Sequence, residues 1–124
     1  MGAVRSKAFP SEVETASEAR HWAEAMLGEM GWAGSVDEVV LLVSELVTNA
    51  VRHAGLKVRV TLYRHDDGLW VSVTDAGPGK VTLRHAEPTD VNGRGLEIVA
   101  QVSGAWGVIA EAESKSVWFE LTKA

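Results

Sequence analysis

The sequence predicts an α+β fold: a two-layer α/β sandwich with helices on one face of a mixed, mainly antiparallel sheet. Three observations support this. Apolar residues recur at helical spacing through two successive segments that end at Gly31 and Gly55. They then alternate with polar residues on either side of Asp66-Asp67-Gly68, and two further strand-like runs close the chain. The alternating βα order of a doubly wound sheet is missing.

A short N-terminal strand is expected near Val4–Phe9. The first helix should open with a capping box, because Ser11 and Glu14 have the Ser-x-x-Glu spacing. Val13, Ala16, Ala19, Ala23, Met26, Leu27 and Met30 then follow at helical intervals up to Gly31. Ser35 and Glu38 repeat the signal ahead of Val36, Val39, Val40, Val43, Leu46, Val47, Ala50 and Val51, with Gly55 as a stop. Val58, Val60 and Leu62, then Leu69, Val71 and Val73, have the period of a hairpin with one face in the core. Residues 76–93 hold Gly77, Pro78, Gly79, Pro88 and Gly93 and read as a long loop of the functional or mobile kind. A short helix from about Arg94 to Val102 precedes strands near Ala105–Ala110 and Ser116–Leu121.

With 124 residues the chain is expected to form a single domain, 1–124, that buries roughly two thirds of its unfolded surface. Hydrophobic content of 46% and charged content of 23% are ordinary for a folded, water-soluble chain. Having no cysteine, it can form no disulfide, thiolate nucleophile or zinc–thiolate site, and a reducing cytoplasm is the expected compartment. The longest apolar stretch, Val39 to Val51, is interrupted by Glu45 and Asn49 and is too short to span a membrane. A net charge of −5 disfavours nucleic acid as the main partner.

Three segments carry candidate chemistry. Glu45, Thr48, Asn49 and Arg52 are spaced to form one polar stripe along the second helix. Taken alone, such a stripe is the solvated side that any amphipathic helix needs. Asp75 continues the parity of Leu69, Val71 and Val73, so it should point between sheet and helices, where a carboxylate could accept a hydrogen bond from an adenine amine. The competing reading is an Asp that starts a turn at Asp75-Ala76-Gly77-Pro78-Gly79. Gly93-Arg94-Gly95-Leu96 opens the short third helix, where unpaired N–H groups suit a polyphosphate; the same residues also suit a plain hinge. The Gly-x-x-x-x-Gly-Lys-Ser/Thr phosphate loop is absent. His21, His53, His65 and His85 lack metal-ligand spacing and read as surface or flanking residues.

Together, and in this order, the segments resemble the nucleotide-binding signatures of the GHKL superfamily, the gyrase, chaperone, histidine-kinase and mismatch-repair ATPases. Val43–His53 is similar to that family's N box, Asp75-x-Gly77-x-Gly79 to its first glycine box, Gly93-Arg94-Gly95-Leu96 to its second, and Lys115–Leu121 to its closing strand. The solitary domain, the short lid and the phrases Ser44–His53 and Gly93–Val99 resemble bacterial anti-sigma factor serine/threonine kinases in particular.

The resemblance implies a GHKL fold that binds ATP or ADP with Mg²⁺. Asn49 would coordinate the metal, and Glu45 would be the catalytic base. Asp75 would take the adenine amine, with Gly77 and Gly79 shaping the wall around the ring. Gly93, Arg94, Gly95 and Leu96 would form the phosphate segment, Arg52 and the lid residue Arg84 could reach the phosphates, and Ser116 would contact adenine through water. The implied function is phosphorylation of a small anti-sigma antagonist coupled to sequestration of a sigma factor, by a homodimer that binds neither nucleic acid nor membrane. Trp70 and Trp118 could equally mark a partner face if they point outward. The alternative is a nucleotide-gated interaction module with little or no kinase activity. A complete histidine kinase or a DNA topoisomerase would each need a further domain.

Overall fold

The computed structural model describes residues 2–53, 57–76, 105–111 and 114–122. Strand β1 (Ala3–Pro10) leads into helices α1 (Thr15–Met30) and α2 (Val36–His53), followed by strands β2 (Lys57–His65), β3 (Gly68–Ala76), β4 (Ala105–Glu111) and β5 (Ser114–Thr122). The sheet order is β1-β2-β3-β5-β4. Each pairing among these strands is antiparallel, so the expected mainly antiparallel sheet is antiparallel throughout the described residues. The expected loop across 76–93, the helix at 94–102 and the stop at Gly55 lie outside the described residues, apart from Ala76 at the end of β3.

The first helix does not begin as the capping-box spacing suggests. Glu14 is the N-cap and makes no side-chain cap bond, while Ser11 instead donates its hydroxyl to the Val51 carbonyl at 3.5 Å. The Thr15 hydroxyl donates to the Pro10 carbonyl and accepts from the Glu12 N–H at 3.3 Å. The strand-to-helix joint thus satisfies itself through Thr15, and Ser11 is left to meet the end of α2. Val13 lies before the helix and is 89% exposed, against its expected place on the apolar face.

The caps expected at Gly31 and Ser35 follow the sequence. At the end of α1, Gly31 adopts the left-handed conformation (φ 69°); its N–H donates to Gly28 and the Trp32 N–H to Leu27, which satisfies two carbonyls that the helix leaves open. Ser35 accepts a hydrogen bond from the Glu38 N–H at 3.1 Å, a side-chain cap on α2. Ala19, Ala23, Leu27 and Met30 form the buried stripe of α1, and Val39, Leu42, Val43, Leu46, Val47 and Ala50 that of α2.

Alternation in the strands divides the sheet into two faces. Directly opposed residues share a face, so Phe9, Val58, Val60, Leu62, Leu69, Val71, Val73, Phe119 and Leu121 meet the helices from one side and are buried. Helix α1 packs on α2, α1 lies over β1 and β2, and α2 lies over β2 and β3. The other face is polar near β1, where Ser6 bonds Thr61 at 3.0 Å and accepts from Arg59 at 3.0 Å. Towards β5 it carries half-buried Trp70 and Trp118, so both tryptophans do point outward from the helices.

At the β2–β3 turn, Asp66 takes the positive φ (46°) rather than Gly68, which begins β3. A Cβ at Gly68 would lie 2.9 Å from the ring of His65, which crosses β3 to reach Glu120 at 2.6 Å, so a side chain there would push that ring aside.

Truncating Phe119, wholly buried on a strand with neighbours on both sides, should remove about 3–5 kcal/mol of stability in Phe119→Ala. Val13→Ala should stay within about 0.5 kcal/mol of the parent. Urea denaturation of the two variants checks the burial map, and equal losses would contradict it.

Candidate functional site

Asp75 is the second-last residue of β3, and strand parity turns its side chain towards the helices, where it is 9% exposed. The turn that Asp75 could open runs through Gly77, Pro78 and Gly79, which lie outside the described residues. In the register across the sheet Asp75 stands in one row with Phe9, Val58 and Lys115, all on the inner face. An ionised carboxylate is acceptor-only, with about four lone-pair positions, so it can serve several donors at once.

Connectivity brings the C-terminal end of α2 to the same end of the sandwich. Only residues 54–56 separate His53 from Lys57, so the two ends lie within about 14 Å. Lys57 pairs with Pro10 on one side and Ala76 on the other, and Ser11, next to Pro10, bonds the Val51 carbonyl. Asn49 and Arg52, in the last turns of α2, therefore sit at the Asp75 end of β3.

The polar stripe of α2 divides by burial. Glu45 and Asn49 are half-buried at the margin of the face formed by Leu46, Val47 and Ala50, whereas Thr48 and Arg52 are exposed. Thr48 is committed to the helix itself, since its hydroxyl donates to the Ser44 carbonyl at 2.7 Å. What remains half-buried on the stripe is a carboxylate and a carboxamide one helical turn apart, about 6 Å along the axis. Such a pair offers a proton acceptor beside a neutral oxygen ligand for a hard cation. Among the described residues, no group of three or more His, Cys, Asp or Glu could hold a metal by itself.

Ser116 is placed differently from the expectation. It stands opposite Thr74 on the outer face, and the two hydroxyls are hydrogen-bonded at 2.6 Å. Alternation is the physical reason: Phe119 and Leu121 point into the core, so Lys115 and Val117 share their side while Ser116 and Trp118 take the other. Ser116 therefore lies across the sheet from Asp75, and a water-mediated contact to a base bound at Asp75 is not supported. The parity is readable in the sequence from the alternation of Val117, Phe119 and Leu121.

Gly77, Gly79, Arg84, Gly93, Arg94, Gly95 and Leu96 lie outside the described residues. Of the four histidines, His21 is exposed on α1 and His65 is engaged by Glu120 and stacked on Tyr63, both away from Asp75; the side chain of His53 and the whole of His85 lie outside the described residues.

The sequence pattern described as "Histidine kinase-like ATPase domain" matches residues 9–120. This chain belongs to that family. The matched span contains the α2 stripe, Asp75 and all but the last two residues of β5. The fold has close counterparts among solved structures. One is a Mycobacterium tuberculosis protein solved as its RsbU and RsbW domains, with a TM-score of 0.73 at 18% identity over 97% of this chain. Another is the Acinetobacter baumannii histidine kinase AdeS, with a TM-score of 0.60 at 12% identity over 96% of this chain. This chain spans 32% of the first structure and 68% of the second. No curated protein matches it. At these identities the structures establish the fold, and the family establishes a nucleotide-binding domain of the kinase-like ATPase type. No helix among the described residues is long and apolar enough to cross a membrane.

The position of Ser116 makes a prediction. Ser116→Ala should cost about 0.5–1.5 kcal/mol through loss of the bond to Thr74, while leaving ATP affinity within about twofold. Chemical denaturation and calorimetric titration would be run on the same preparation. A large loss of ATP affinity at unchanged stability would restore Ser116 to the binding site.

Proposed function

We propose that the domain is an ATP-binding serine/threonine kinase of the anti-sigma factor type. On this reading it phosphorylates a small anti-sigma antagonist, sequesters a sigma factor, and exchanges partners according to whether ATP or ADP is bound. It acts in the cytoplasm as a homodimer, without nucleic acid or membrane as a partner. The observation that carries the nucleotide half is the buried Asp75 carboxylate at the same end of the sandwich as Asn49, with Glu45 one turn earlier on the same helix. The anti-sigma half rests on the resemblance of Ser44–His53 and Gly93–Val99 to those kinases, and on the fold shared with a structure that contains an RsbW domain.

The residues divide the work by chemistry. Asp75 accepts a hydrogen bond from the adenine amine, and burial strengthens that contact against competition from water. Asn49 would hold Mg²⁺ through its neutral side-chain oxygen, and the ion would supply positive charge beside the phosphates. Gly77 and Gly79 border the base, Gly93, Arg94, Gly95 and Leu96 hold the phosphates, and Arg52 and Arg84 add positive charge near them. Glu45 accepts the proton of the serine hydroxyl as its oxygen bonds to the γ-phosphorus. The bond to the β–γ bridging oxygen breaks, and ADP leaves with that electron pair.

A second reading, a nucleotide-gated interaction module, is favoured by the outer face of the sheet. Val4, Tyr63 and Ile109 are exposed there beside Trp70 and Trp118. Phosphotransfer decides between the two.

Calorimetric titration with Mg²⁺-ATP at one ionic strength should give saturable binding for the parent. Asp75→Asn and Asn49→Ala should each weaken it by about tenfold or more. A folded parent that binds no ATP would remove this reading. Glu45→Gln should retain ATP affinity within about threefold and lower phosphotransfer to a serine-containing antagonist by about 10²-fold or more. Undiminished transfer by Glu45→Gln would remove its role as base, and no transfer by the parent would favour the interaction module.

A further inference from the structure

Lys115 is the residue that the register sets directly opposite Asp75, on the neighbouring strand and on the same inner face. It shares parity with Val117, Phe119 and Leu121 and is itself half-buried. Directly opposed residues of an antiparallel pair have Cβ atoms about 4.5–5.5 Å apart. A carboxylate and an ammonium on a four-carbon stem therefore issue side by side from one end of the sheet. Arg5 pairs with Glu29 at 3.9 Å and His65 with Glu120 at 2.6 Å, and Lys115 is in neither pair. Ser116, its neighbour, is committed to Thr74 on the far side.

Resting on the reading in which Asp75 receives the adenine amine, we propose that Lys115 is a second reader of the base, its ammonium donating a hydrogen bond to adenine N1. The edge of adenine presents a donor, the exocyclic amine, beside an acceptor, N1. Asp75 and Lys115 present an acceptor beside a donor, the complementary order. Guanine reverses both positions, with a carbonyl oxygen facing Asp75 and an N–H facing Lys115. Each mismatch leaves like groups opposed in a partly desolvated site, so the pair rejects guanine as well as accepting adenine. Lysine suits this task because its ammonium carries three rotatable donors, and its apolar stem can lie along the flat face of the site.

The test compares ATP with 1-deaza-ATP, which keeps the amine and replaces N1 by C–H, in calorimetric titrations of the parent, Lys115→Met and Lys115→Arg. The parent should bind 1-deaza-ATP about tenfold more weakly than ATP, the effect of losing one charge-assisted hydrogen bond. Lys115→Met should bind the two nucleotides alike, near the parent's affinity for 1-deaza-ATP, and Lys115→Arg should recover part of the preference. A parent without preference overturns the proposal and needs no variant. A folded Lys115→Met that keeps the tenfold preference overturns it also, while ATP binding in either experiment leaves the Asp75 pocket standing. A parent that binds neither nucleotide removes the pocket itself and the role of Lys115 with it.

Discussion

A carboxylate one residue from the end of a core strand takes its direction from the hydrophobic core. Asp75 follows Leu69, Val71 and Val73 in a run whose alternate side chains all enter the interlayer, so its direction is inherited from hydrophobic burial further up β3. Shifting the register by one residue would turn Asp75 to solvent and Thr74 inward. That shift would also expose Val71 and Val73, so the packing that stabilises the sheet fixes the direction of the polar group as well. Placing a carboxylate there costs desolvation, and the cost is offset only where donors surround it.

The two helices serve the same end of the sheet for separate reasons. Burial of Val39, Leu42, Val43 and Val47 presses α2 onto β2 and β3, which leaves Glu45 and Asn49 at the margin of the apolar stripe. The brief link to β2 and the bond from Ser11 to Val51 then keep the last turns of α2 beside the β1–β2–β3 row that ends in Asp75. Glu45, Asn49 and Asp75 thus sit on a packed helix and strand, whose neighbours hold their direction.

The opposite face of the sheet follows different rules. Its hydroxyl pairs, Ser6 with Thr61 and Thr74 with Ser116, and the His65–Glu120 contact tie strands together across the sheet. Ser72 is also buried there, between Thr61 and Trp118 in the register. The face is laced by polar contacts near its centre and left apolar at Val4, Tyr63 and Ile109, a division that matters for any partner that covers it.

The helices, the hairpin at Asp66-Asp67 and the inward direction of Asp75 were legible in the sequence, because period and parity are local properties that burial enforces directly. So were the caps at Gly31 and Ser35, where one residue meets its neighbours' unpaired backbone groups. Tertiary structure alone decided that Ser11 meets Val51 rather than capping α1, since its partner lies 40 positions away and competes with a local bond of similar strength. It also decided that β5 lies between β3 and β4, which sets Lys115 beside Asp75 and Ser116 beside Thr74. Strand order is a choice among pairings that all satisfy the same alternation, and only the packing of the whole sheet selects one.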